Sequence, residues 1–181
     1  TMNPVELGQG TFPLSEAAVD RFAIMVNIGY LPAEEEQKLV DFDFKKVHLR
    51  GLMSKERVLE LRSRIGEQVF LHEALGKYIR RLVSATRPYS PETDWHQHSP
   101  SPLVEQYVDL GGSPRATICW GRLVKVWALI NGRRDEVYPE DIQELAKYVL
   151  GHRLWLAPHA ASRHIRVETV LDEVIAAVPI P

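Results

Sequence analysis

Residues 110–116 read Leu-Gly-Gly-Ser-Pro-Arg-Ala and open a helical pattern from which the rest of the fold can be worked out. A serine oxygen accepts a free backbone N–H at a helix start, and proline suits the first helical position because it has no N–H to leave unpaired. The pattern therefore predicts a helix from Pro114 to Ile130, ended by Asn131-Gly132. Its predicted apolar face consists of Ile118, Leu123, Val126, Trp127 and Ile130.

Further helices are predicted on both sides of this segment. They span residues 55–65 (after a Ser54 cap), 72–86, 139–149 with a continuation near Trp155, and 167–177. The predicted buried side of the first one consists of Val58, Leu59, Leu61 and Ile65. Residues 87–106 contain four of the chain's 12 prolines and predict a long loop. From residue 51 onward the sequence thus indicates an all-α region.

Residues 1–50 differ from this helical region. A loop over 1–14 precedes a short helix over 16–22, and Pro32 opens another helix toward Phe42. Between them, residues 23–30 alternate in the manner of a β-strand. A lone strand leaves its backbone unpaired, so partner strands are expected either in another chain or in a longer protein of which this chain is the second half.

Composition excludes several classes of protein. The 181 residues are 45% hydrophobic and 25% charged, with a formal net charge of -2, which indicates a folded globular chain rather than a disordered one. The apolar runs are far shorter than the roughly 18 residues of a membrane span. The first residues do not resemble a signal peptide, and one cysteine, Cys119, excludes an internal disulfide. We therefore expect a cytoplasmic protein.

Three stretches carry a resemblance to a known family. The first is at the start of the chain: Asn3-Pro4, then Gly10-Thr11-Phe12-Pro13-Leu14, then Asp20-Arg21-Phe22. The second is the stretch 110–116. The third comprises residues 132–135, 139–142 and His152-Arg153-Leu154. In this order and spacing the chain strongly resembles the MoxR-type AAA+ ATPases, with a sensor 1 Asn-Pro, an arginine-finger helix, a sensor 2 motif and the lid behind it.

The resemblance implies a fold and a domain division. Residues 1–50 would be the end of an AAA+ α/β core, with one strand and short helices, and residues 51–181 an all-α lid, so the chain as a whole is mainly α. The sequence departs from the family at Met2, at residues 7–9, at the additional arginine of 133–134 and at Tyr138. It also lacks a Gly-x-x-x-x-Gly-Lys-Ser/Thr loop and an acidic strand end for magnesium. We therefore expect it to correspond to the C-terminal half of such an ATPase.

Three residues receive roles from the resemblance. Asn3 would be sensor 1 and orient the attacking water or touch the γ-phosphate, although Asn-Pro by itself is more often a turn. Arg21 would be an arginine finger for a neighbouring subunit's nucleotide; the alternative is a helix-terminal arginine paired with a carboxylate. Arg115 would be sensor 2 and reach the phosphates in cis. A cation in the first turn of a helix is disfavoured by the dipole, so an anionic ligand would account for it better than a surface salt bridge.

The resemblance also implies cofactors and partners. The complete protein would use ATP and Mg²⁺, form a homo-oligomeric ring, expected to be a hexamer, and act as a chaperone on a client with a von Willebrand A domain. This chain by itself would neither bind ATP tightly nor hydrolyse it. Alternatives are an ATPase subunit like that of magnesium chelatase and a non-catalytic helical interaction module. Binding of nucleic acid is disfavoured because the sequence has no basic stripe.

Other residues with reactive side chains have simpler explanations. His96 and His98 lie in the proline-rich loop without a third metal ligand in sequence. Cys119 is expected to be a small buried apolar residue. Trp120, Trp127 and Trp155 are expected to anchor the core or a subunit interface.

Overall fold

The computed structural model describes residues 14–48, 50–88, 99–132 and 135–181. The predicted mainly helical fold is confirmed. The α-helices are α1 (Glu16–Val19), α2 (Ala33–Lys38), α3 (Lys55–Gln68), α4 (Glu73–Ala85), α5 (Pro102–Tyr107), α6 (Pro114–Ile130), α7 (Pro139–Leu150), α8 (Pro158–Ser162) and α9 (Val167–Ala177), with a short 3-10 turn at Phe44–Lys46. Two short strands, β1 (Val108–Leu110) and β2 (Trp155–Leu156), complete the described part.

The helical core lies in the part of the chain that begins at Val69. Helix α6 packs on α4 and α7, and α9 closes the other side of α4 and α7. Tyr78, Ile79 and Leu82 of α4, Ile142 and Val149 of α7, and Val170 and Val174 of α9 fill the space between them, each at most 1% exposed. Apolar burial of this extent is the main force that holds the helices together.

The buried face of α6 differs from the prediction. Trp120 and Val124 are fully buried together with Ala116 and Ala128, in a strict four-residue repeat. Ile118 and Ile130, which were predicted to be inside, are 59% and 70% exposed. Two small alanines let the neighbouring helices approach that face closely. The larger aliphatic side chains lie outside because side chains in a close-packed core must fit the available space in size and shape as well as being apolar.

The predicted helix bounds are otherwise close to those observed, with three corrections. Helix α7 ends at Leu150 and does not continue to Trp155, which is in a strand instead. Strands β1 and β2 pair antiparallel, with Val108 opposite Leu156, so the region from residue 51 onward is not entirely helical. Helix α5 lies inside the predicted loop 87–106, whose residues 89–98 fall outside the described residues together with His96 and His98.

The predicted strand over residues 23–30 is wrong for this chain. Residues 24–30 have no regular secondary structure. The one backbone bond recorded for the segment joins Met25 N–H to the Tyr148 carbonyl, 2.9 Å away. An alternating sequence cannot form a strand without a neighbour to pair with, and none of the described residues provides one.

Residues 14–60 are little buried. No described side chain in this segment is buried, and Val69 is the first buried one among the described residues. The expected burial of α3 is wrong too, because Val58 and Leu59 are each 52% exposed, while Leu61 and Ile65 are half-buried. Large apolar side chains such as Ile28 and Tyr30 are open to solvent. Nowhere in the described ranges is a helix long and apolar enough to cross a membrane.

Candidate functional site

The turn before α6 is fixed against the end of α4. Gly112 N–H donates to Thr86 Oγ1 over 2.9 Å, and Arg87 Nε donates to the Gly112 carbonyl over 2.8 Å. A Cβ on Gly111 would lie 2.3 Å from the Thr86 carbonyl oxygen, which explains why the stretch 110–116 needs glycine at that position. Burial lowers the pKa of Arg87 from its usual value. The turn before α6 is therefore held by two side chains at the end of α4, both of which bind the Gly112 backbone.

Ser113 connects this turn to the N-terminal segment. Its Oγ accepts the Arg115 N–H over 3.2 Å, which caps α6 as predicted. The same hydroxyl lies 2.9 and 2.8 Å from Oδ1 and Oδ2 of Asp20 and donates to that carboxylate. Asp20 directly precedes Arg21 in sequence, so the predicted finger segment and the predicted sensor 2 helix are in contact.

Arg153 completes the connection from the far side. Its side chain is 2% exposed, and its Nε donates to Asp20 Oδ1 over 3.1 Å. The remaining guanidinium nitrogens donate to the carbonyls of Asp20 (3.0 Å), Phe22, Ala23 (3.3 Å) and Val149. A buried guanidinium is tolerated when its donors are satisfied in this way. The buried arginine thus fixes residues 20–23 to the C-terminal end of α7.

His152 adds a second contact to the same segment. Its Nε2 lies 3.0 Å from the Phe22 carbonyl, and the residue is 8% exposed. Burial lowers the pKa of His152 below its usual value, and the nearby positive charge of Arg153 lowers it further. The bond to the Phe22 carbonyl and the charge of Asp20 oppose that shift of the pKa. His152 is therefore a mainly neutral side chain near neutral pH.

The two predicted arginines lie at the ends of this network. Arg21 and Arg115 are both exposed. Within the described ranges, no hydrogen bond or ion pair is recorded for either side chain, while the adjacent Asp20 is occupied by Arg153 and Ser113. Asn3, the third predicted site residue, lies outside the described residues. The structure thus brings the segments of Arg21 and Arg115 together and leaves both cationic heads open.

Sequence reasoning had not given roles to Asp20 or Arg153. Both lie inside motifs that had been noted, Asp20-Arg21-Phe22 and His152-Arg153-Leu154, but their contact joins residues 133 positions apart in sequence. The signal in the sequence was one further charged residue in each motif. Asp20 is next to Arg21, Arg153 is next to His152, and their opposite charges could form an ion pair. Cys119, expected to be buried, is half-buried, with its Sγ 3.7 Å from the Ala23 carbonyl. Trp120 is fully buried, whereas Trp127 and Trp155 are half-buried.

Comparison with known proteins identifies the class of this fold. Residues 101–174 match the AAA lid domain family. This range contains the turn before α6 and the residues His152 and Arg153 that hold the N-terminal segment. Residues 101–174 are thus similar to the lid domains of AAA+ proteins.

The whole chain is similar to longer proteins. It is 35% identical over its full length to the uncharacterized protein YeaC of Bacillus subtilis and 35% identical to Chaperone MoxR1 of Mycobacterium tuberculosis, covering 52% and 46% of those proteins. It also superposes on a crystal structure of a "putative ATPase" from Cytophaga hutchinsonii, with a TM-score of 0.80, 35% identity, and coverage of 99% of this chain and 52% of the other. Over its full length the chain is thus similar to proteins of the MoxR type, and it spans about half the length of the curated relatives it matches.

Proposed function

We propose that this chain supplies the arginine finger, sensor 2 and lid of a MoxR-type ATPase, in which ATP hydrolysis drives the assembly or activation of a partner protein. The nucleotide-binding loop and the magnesium ligands would come from the rest of a longer protein, called here the complete ATPase. Residues 1–50 would belong to its core and residues 51–181 to its lid. The chain by itself would neither bind ATP tightly nor hydrolyse it.

One observation carries the proposal: Arg21 is exposed although a carboxylate lies directly beside it in sequence. The Asp20 carboxylate already binds Arg153 and Ser113. It is therefore not available as an ion-pair partner for Arg21. A planar, permanently charged guanidinium without a partner of its own suits the developing charge of a transferring phosphoryl group. Arg21 would act on the nucleotide of the neighbouring subunit.

Arg115 is supported by its position at the start of α6. The side chain is exposed in the first turn, where the helix dipole already favours an anion. Placing a cation there has a small electrostatic cost that a bound phosphate group would reverse. Arg115 would therefore touch the nucleotide phosphates in cis and report their state to the lid. Asn3 would orient the attacking water, as its motif implies.

The N-terminal segment over residues 14–60 supports a role as part of a larger core. Its apolar side chains are uncovered, and Ile28 and Tyr30 are 88% and 103% exposed. Exposed apolar surface of this kind is typical of a surface that a partner covers.

The ring and the client are the finer parts of the proposal. A finger that acts in trans requires subunits arranged head to tail in a closed ring, for which we propose a hexamer. The name of one relative, Chaperone MoxR1, supports a chaperone role. We propose a client with a von Willebrand A domain and a cytoplasmic location. We propose that Mg²⁺ would be held by the other half of the complete ATPase together with the nucleotide phosphates, as the resemblance implies.

The test is ATP turnover by the complete ATPase as a function of protein concentration, with and without added Arg21→Ala subunits. A specific rate that rises with concentration and falls more steeply than the fraction of variant would support a ring with a finger in trans. Turnover that is linear in protein and insensitive to the variant would remove Arg21 from the mechanism. The chain of 181 residues, titrated with a fluorescent ATP analogue, should show no saturable binding.

A further inference from the structure

Arg153 lies between the two arginines to which the proposed function gives roles. A path of covalent bonds and hydrogen bonds joins these two arginines. Arg21 is adjacent to Asp20, whose carboxylate accepts a hydrogen bond from Ser113 Oγ over 2.8 Å. Ser113 in turn caps α6 two residues before Arg115. Arg153 binds the middle of this path, through Asp20 Oδ1 and the carbonyls of residues 20, 22 and 23. Of the polar side chains on this path, those of Asp20 and Ser113 are partly buried, and only the two arginines are exposed.

Resting on the proposed function, we propose that Arg153 is a positioning residue that makes the finger segment and the sensor 2 helix one mechanical unit. It would not touch nucleotide. If the lid moves when Arg115 binds the nucleotide phosphates, Arg21 would move with it. The nucleotide state of one subunit would then determine the position of the arginine finger that acts on the nucleotide of the next subunit. This adds a regulatory link between adjacent sites to the proposed roles of the two arginines.

The geometry supports a rigid link rather than a flexible one. The Arg153 side chain is 2% exposed and the Asp20 side chain 22% exposed, so the ion pair is largely shielded from competing water. Ser113 is fixed independently, because it caps α6 and follows Gly112, which is bound to Thr86 and Arg87. His152 and the Tyr148 carbonyl add two further bonds, to the Phe22 carbonyl and to Met25 N–H. Coupling between sites needs a contiguous element of this kind, which both sites can bias.

The first experiment measures kcat and KM for ATP in the complete ATPase with Ser113→Ala, Ser113→Thr and Ser54→Ala. Ser54 is the matched control, because its Oγ caps α3 through Arg57 N–H, yet it makes no recorded contact with the finger segment. We expect Ser113→Ala to lower kcat about tenfold, the usual effect of losing one hydrogen bond to a charged group. Ser113→Thr retains the hydroxyl and should restore the rate, and Ser54→Ala should match the unmodified protein.

A second variant tests whether the effect passes through Asp20. Asp20→Asn removes the charge that Ser113 and Arg153 bind, with little change in shape. It should lower kcat at least as much as Ser113→Ala, because it weakens the pair with Arg153 as well as the contact with Ser113, and the combined variant should be no slower than Asp20→Asn alone. Additive losses would mean that the two residues act separately and would overturn the proposed path.

Amide hydrogen exchange provides a readout that does not depend on activity. The Met25 N–H, bonded to the Tyr148 carbonyl, reports whether the finger segment is docked. In Arg153→Lys, which keeps the charge but loses the fork, a peptide containing Met25 should exchange about tenfold faster while peptides from α6 are unchanged. Unchanged exchange at Met25 would overturn the proposal.

The possible results distinguish a failure of the proposed function from a failure of the role proposed for Arg153. A complete ATPase without ATP turnover would overturn the proposed function and the role of Arg153 together. An active enzyme in which Ser113→Ala keeps the full kcat, or in which Ser113→Thr fails to restore it, would overturn only the role of Arg153. If Arg153→Lys does not fold, the serine pair and Asp20→Asn still decide the question.

Discussion

The backbone of Gly111 passes so close to Thr86 that a side chain on the glycine would lie 2.3 Å from the threonine carbonyl oxygen. Backbone atoms at the end of α4 cannot move aside as a flexible side chain could. We expect Gly111→Ala to lower the free energy of unfolding by about 1–3 kcal/mol, the usual cost of overpacking. Urea unfolding followed by circular dichroism would measure this.

Gly76 provides the matched control for that substitution. It lies in α4, and no atom is within 4 Å of where its Cβ would be. Gly76→Ala should therefore raise the free energy of unfolding by about 0.5–1 kcal/mol, because alanine loses less backbone entropy in a helix. Equal effects of the two substitutions would contradict the close contact at Gly111.

A carboxylate from α9 stabilises the start of α5. Glu173 Oε1 accepts from Ser101 Oγ at 2.8 Å and from Leu103 N–H at 3.1 Å. Glu173→Gln should lower the free energy of unfolding by about 1 kcal/mol, since bonds to a charged acceptor are stronger than neutral ones. Asp172→Asn, an exposed neighbour on the same helix, should change it by less than about 0.5 kcal/mol. Thermal and urea unfolding of both variants would test the difference.

His152 should make stability depend on pH near neutrality. Burial lowers its folded-state pKa below the value of 6.5 for a free side chain, so below that pH the unfolded chain binds a proton that the folded chain does not. Its contribution to stability is therefore complete above pH 6.5 and is progressively lost as the pH falls from there toward the lowered folded-state pKa.

Urea unfolding of the unmodified chain and of His152→Gln, at about pH 7.5 and about pH 5.5, would test this contribution. We expect the loss of stability between the two pH values to be smaller in the variant. An equal loss in both proteins would mean that His152 is not responsible for the pH dependence.

The sequence predicted helices well where a cap and an apolar repeat coincided. The helix after Ser113-Pro114 ends at Ile130 as predicted, and α9 matches residues 167–177. Helix α5 begins with the same Ser-Pro pair, at Ser101-Pro102, yet it was predicted as loop. It is only six residues long, and its cap comes partly from Glu173, about 70 residues away. Local sequence cannot reveal such a distant contact.

The candidate site was predictable in part for a related reason. Motif resemblance located Arg21 and Arg115, but the bonds of Asp20 to Ser113 and Arg153 span 93 and 133 residues. The strand prediction for residues 23–30 failed because the alternating pattern is only a local preference for extended structure. A strand also needs neighbouring strands with which its backbone can pair. Local preferences were therefore informative, and long-range contacts required coordinates.

Mixing two inactive variants of the complete ATPase would test the assignment of Arg21 in trans and Arg115 in cis. Arg21→Ala and Arg115→Ala should each be nearly inactive, because each removes one cation from every interface. In a mixed ring, some interfaces join the nucleotide site of an Arg21→Ala subunit, which keeps Arg115, to the finger segment of an Arg115→Ala subunit, which keeps Arg21. Such an interface has both arginines. With equal amounts mixed at random, about a quarter of the interfaces are complete, and ATP turnover should return in that proportion.

The control for this mixture is the double variant, Arg21→Ala with Arg115→Ala, combined with either single variant. No interface in those rings carries both arginines, so turnover should stay at the level of the separate variants. If the two single variants also fail to restore turnover after subunit exchange, as monitored by native mass spectrometry, both arginines of one chain act on the same nucleotide and the assignment of Arg21 in trans is wrong. Recovery in the single-variant mixture alone would require that the finger and sensor 2 of one chain face two different nucleotides.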